Sequence, residues 1–149
     1  MKKSLLIVAL MSMIGVASAI EVGVQGGYVY GGPDRGMYGV TVGEKVGPVG
    51  VELSYARSTA TANDQNRYGF TGSYDVAKVA GTTIAVKGGL AFLDNQNSAN
   101  GYAATAGVGA SYPITKTVSL TADYRYQAGQ KRVEQFNGNT ILAGVKVGF

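Results

Sequence analysis

The sequence contains no cysteine and no histidine. Without cysteine there is neither a disulfide framework nor a thiolate metal site. Without histidine the commonest general base and the commonest metal ligand are both missing. Charge is scarce as well: 15% of the residues are charged, against roughly 25% in ordinary soluble domains. With Lys2 and Lys3 set aside, the remaining 11 basic and 9 acidic residues nearly cancel and provide no basic surface for nucleic acid. There is no G-x-G-x-x-G, no phosphate-binding loop and no metal-ligand spacing. The carboxylates Asp34, Asp64, Asp94 and Glu134 fall in loops and are expected to be solvated. The sequence therefore points away from an enzyme and from any cofactor.

What is present begins with an export signal. Lys2 and Lys3 form a positive start, Leu5 to Val16 is apolar apart from Ser12 and Gly15, and Ala17-Ser18-Ala19 is a small-residue cleavage site. The apolar run is shorter than the ~20 residues a spanning helix needs. Cleavage after Ala19 is expected, which divides the chain into a signal segment 1–19 and a mature domain 20–149.

Beyond Ala19 the pattern has period two, interrupted by turn residues. It predicts eight strands: Glu21–Tyr30, Met37–Glu44, Val49–Arg57, Arg67–Val76, Thr83–Leu93, Tyr102–Pro113, Thr117–Gln127 and Thr140–Phe149. One face of each is uncharged and rich in Val, Leu, Ala and Tyr; all ten tyrosines lie on it. Most of these tyrosines stand near a strand end, where a ring with a polar tip suits the boundary between hydrocarbon and water. The opposite face carries Gly, Ser and Thr with a few charges. A soluble barrel would show Lys and Glu outside; this pattern instead fits an apolar belt between two aromatic girdles. The expected fold is an all-β, transmembrane, eight-stranded antiparallel up-and-down barrel. Leu53, Val86 and Leu120 are expected outward near mid-strand. Connections after strands two, four and six are short and the others mostly longer, so the short turns are expected on the periplasmic side.

Eight strands enclose a lumen just wide enough for side chains. Glu52, Lys87, Asp123, Arg125 and Lys146 all point into it by parity. Buried charges must compensate one another, so these five are expected to form a plug, with inward glycines giving room to the long chains. The loop Gln130-Lys131-Arg132-Val133-Glu134-Gln135-Phe136 mixes cations with Val133 and Phe136, its two exposed apolar residues. Lys131, Arg132 and Phe136 are the candidate contact for lipopolysaccharide phosphates or for a host or surface ligand.

These residues resemble the family of small outer-membrane barrels that includes opacity-like proteins, attachment–invasion proteins and the membrane domain of outer-membrane protein A. Gly107-Val108-Gly109-Ala110-Ser111-Tyr112-Pro113, followed by Val118 to Tyr126, looks like that family's last hairpin. Ile141 to Phe149 looks like its final strand. The resemblance implies a bacterial outer-membrane location and assembly by the barrel-assembly machinery, with Phe149 as the assembly signal. The function expected is structural or surface-interacting, namely envelope stability and display of short exterior loops. The alternative is a narrow, low-conductance porin-like channel.

Overall fold

The computed structural model describes residues 19–31, 35–59, 64–96, 100–131, 133–134 and 137–149. Eight strands account for most of them: β1 (Ala19–Tyr30), β2 (Arg35–Val46), β3 (Val49–Thr59), β4 (Gln65–Val79), β5 (Thr82–Asn95), β6 (Gly101–Pro113), β7 (Val118–Gly129) and β8 (Gly138–Gly148). Each pairs antiparallel with the next, and β1 pairs with β8, so the sheet closes into an up-and-down barrel without a crossover. A closed barrel satisfies every ladder hydrogen bond internally, as hydrocarbon surroundings require.

Alternation sorts the side chains as the period-two pattern predicts. All ten tyrosines are exposed, and Val24 and Leu90 are each 61% exposed, whereas Thr140 and Arg125 retain only 1% and 3%. A soluble protein buries its large apolar side chains and exposes its charges. Here the apolar belt covers the outer wall and the polar groups lie within. The expected signal segment lies outside the described residues except for Ala19, which opens β1 opposite Lys45.

The strands run further than the apolar pattern alone indicates. β2 begins at Arg35 and β4 at Gln65, because polar residues beyond the belt still pair across strands. Gln65 Nε2 donates to Asn95 Oδ1 at 2.7 Å in one such buried pair. At the other end β4 and β5 meet in a two-residue turn with Ala80 at φ 48° and Gly81 at φ 82°. That is the twist-matched hairpin geometry, which requires both central residues in the left-handed region.

Height along the wall differs from expectation at Leu120. It lies directly opposite Tyr112, at the level of the girdle near the short turns. Val108 is better centred, with Tyr102 and Tyr112 on its own strand to either side, and it faces Val86 and Tyr124 across the ladder.

Candidate functional site: a charged layer across the lumen

The lumen has two storeys. Towards the long loops it is mixed: Val29, Met37, Ala56 and Leu142 form one buried apolar cluster and Ala91, Leu93, Ala103 and Val133 another, beside buried polar side chains that include Gln65, Asn95, Gln127 and Thr140. Towards the short turns it is charged. A lumen-facing parity guarantees burial and not polarity, so the two apolar clusters are not evident from the charge pattern.

The five inward charges Glu52, Lys87, Asp123, Arg125 and Lys146 come together in one connected set. Lys146 Nζ donates to Glu52 Oε2 at 2.5 Å. Arg125 Nη2 donates to Asp123 Oδ2 at 2.8 Å and more loosely to Glu52 Oε1 at 3.4 Å. Lys87 Nζ lies 2.6 Å from Asp123 Oδ1 as an ion pair. Arg125 also reaches Thr71 Oγ1 at 3.4 Å. Two further pairs extend the set towards the turns, Lys45 with Asp75 at 2.6 Å and Lys146 with Glu21 at 3.7 Å.

Glycine makes these spans feasible. Lys87 on β5 and Asp123 on β7 are separated by β6, which presents Gly107 opposite Lys87 and Gly109 opposite Asp123. A Cβ on Gly109 would lie 2.6 Å from Lys87 Cε and would collide with Asp123 Oδ1. Lys146 on β8 passes Gly23 on β1 in the same way, where a Cβ would lie 2.9 Å from its Cγ. The small residues of the inner face are thus the clearance for long charged chains.

Between the charged layer and the short turns lies a polar cavity of about 70 Å³, lined among others by Glu21, Lys45, Asp75, Thr83, Ser111 and Thr121. A water needs roughly 10–15 Å³ by this measure, so several fit.

Two inward cations escaped the sequence reading. Arg67 is 8% exposed and Arg35 is 4% exposed. Arg67 shares the parity of Thr71 and Asp75 on β4, which was the available signal. Arg35 was concealed by its assignment to a loop.

At the long-loop end Lys131 is exposed, while Arg132 and Phe136 lie outside the described residues. Val133 departs from expectation. It is fully buried and packs against Ala91, Leu93 and Ala103 instead of facing solvent. Gly101 and Gly129 form its seat: a Cβ on either would come within 3.0 and 2.7 Å of a Val133 methyl. The loop is drawn inward by Gln130 N donating to Tyr102 O at 3.0 Å and Val133 N to Gln130 O at 2.7 Å. Phe149, at the opposite rim, is 81% exposed. Its backbone N donates to Ile20 O at 2.9 Å across the β1–β8 seam.

No family model and no curated relative matches the sequence. Solved structures do. The N-terminal β-barrel domain of Pseudomonas aeruginosa OprF superposes with a TM-score of 0.72 at 20% identity, covering 89% of this chain and 100% of that one. The chain has the fold of the small outer-membrane barrels. Neisserial surface protein A superposes equally, with a TM-score of 0.72 at 16% identity, covering 89% of this chain and 97% of that one. A de novo designed transmembrane β-barrel follows at 0.59 and 17% identity, covering 88% of this chain and 95% of that one. A designed barrel reaching this likeness underlines that it is the architecture, and not an activity, that is shared.

Proposed function

We propose that the chain is an integral outer-membrane barrel with a structural and surface-interaction role, whose lumen is closed to flow. The observation that supports this best is the connected charge layer, with Arg125 held between two carboxylates and two buried apolar clusters on its long-loop side. A cell lacking the protein should become more sensitive to detergent and to chelation of divalent cations, and the wild-type gene should restore resistance. An unchanged envelope in the deletion strain would remove the stabilising role.

In this reading the short turns face the periplasm and the long loops the exterior. Lys131 and Arg132 then meet lipopolysaccharide phosphates or a surface ligand, with Phe136 beside them. Residues 1–19 are removed on export. Mass spectrometry of the mature protein should give a chain starting at Ile20, and retention of Met1 to Ala19 would refute the assignment. Phe149 serves the assembly machinery, which suits its exposure at the periplasmic rim. Deleting Phe149 should reduce folded barrel in the outer membrane several-fold in vivo while leaving refolding in detergent nearly unchanged; normal outer-membrane levels would contradict the role.

A narrow channel is the second reading. The polar cavity on the turn side favours it, since it is roomy enough for several waters.

A further inference from the structure

Solvent exposure of the inward charges falls in one direction, from the short turns towards the long loops. The side chains of Lys45 and Asp75, nearest the turns, are 34% and 23% exposed. Lys146 retains 19% and Lys87 12%. Asp123 and Arg125, further along β7 from its turn, retain 6% and 3%.

Beyond Arg125 the exposure does not recover. Ser58, Gln65, Asn95, Gln127 and Thr140 are all buried, as are Arg35 and Arg67, and Leu93 and Val133 have no exposure at all. Gln65 and Asn95 join by a hydrogen bond, and Val133 fills the seat left by Gly101 and Gly129. A lumen with two mouths would show exposure rising again towards the second. This one shows a single slope.

The cavity of about 70 Å³ lies at the open end of that slope, and Lys87, Lys146 and Glu52 reach its wall from the layer. Thr83 stands opposite Ser111 and Ser111 opposite Thr121, so three hydroxyls cross its wall in one row. Hydration from this side lessens the cost of burying the layer's charges, since full removal from water is the expensive part.

We infer that the barrel is a blind cup, open to water and small hydrophilic solutes through the short-turn end alone, with the charge layer as its floor. The inference rests on the closed-lumen reading and adds which side the closure leaves accessible. Small ions of the turn-side compartment then screen the lysine–carboxylate pairs from below, while solutes on the loop side do not reach them.

The chain has no cysteine, so single-cysteine variants each report one position. The test is the rate of alkylation by iodoacetamide in the refolded barrel in micelles, each rate divided by that of the same variant in urea. Ser111→Cys in the cup should react readily and Thr71→Cys beside Arg125 more slowly. Ser58→Cys, close to the long loops, should lag Ser111→Cys by about a hundredfold, because a sealed group reacts only through local opening. Should Ser58→Cys not refold, Thr140→Cys takes its place. A loop-half cysteine as fast as Ser111→Cys would reveal a second mouth and overturn the inference. So would a Ser111→Cys as slow as the loop-half variant, which would mean no mouth at all. Single-channel recording separates this from the closed-lumen reading: a second mouth with silent traces overturns the blind cup alone, whereas steady conductance overturns both.

Discussion

Replacing Glu52 by alanine is expected to lower the stability of the folded barrel by about 3 kcal/mol, the lower end of what breaking a buried ion pair costs. Glu52 takes the 2.5 Å bond from Lys146 and the 3.4 Å contact from Arg125. Alanine leaves both cations in place and removes their shared acceptor. The loss stays near the lower end because each keeps another acid: Arg125 holds Asp123 at 2.8 Å, and Lys146 lies 3.7 Å from Glu21. Urea unfolding in micelles measures the effect. Glu52→Gln, which retains an acceptor oxygen without the charge, should fall between wild type and alanine. An alanine variant as stable as wild type would mean that the layer contributes no net attraction.

The second large effect is on the outer wall. Arginine in place of Val108 should cost about 2–4 kcal/mol in a lipid bilayer, because the position lies near the middle of the apolar belt. The same change at Leu120 should cost roughly 0–1 kcal/mol, the value near an interface, because Leu120 is level with Tyr112. Refolding both variants into vesicles and comparing their unfolding gives the depth profile directly. Equal costs at the two positions would contradict the placement of the girdle. No cost at Val108 would mean that this wall does not face lipid.

The architecture was legible because period two has only two outcomes. Once Tyr102, Ala104, Ala106, Val108 and Ala110 share a face, every neighbouring residue on β6 is assigned to the lumen, and a slip of one residue would put Asp123 and Arg125 into lipid. The same parity brought Glu52, Lys87, Asp123, Arg125 and Lys146 inside. What parity does not supply is height. Strand tilt and stagger fix it, and they are properties of the closed sheet. Leu120 was therefore set too near mid-belt. The two apolar clusters on the long-loop side do not follow from the charge pattern, although Leu93, Leu142 and Met37 all share the inward parity. Arg35 and Val133 were missed for another reason. Both lie where the apolar belt has ended, and there the alternating signal stops while the strand or the loop continues inward. The pairing of β2 with β1 carries Arg35 into the ladder opposite Val29. The glycines at 101 and 129 leave the space that Val133 fills.

Single-channel recording of the refolded wild-type barrel in a planar bilayer tests the closed lumen most directly. Near-silent traces are expected, with leakage appearing in Glu52→Ala as the layer loosens. Steady, discrete conductance steps in the wild type, unchanged in Glu52→Ala, would contradict a lumen closed by its own charges.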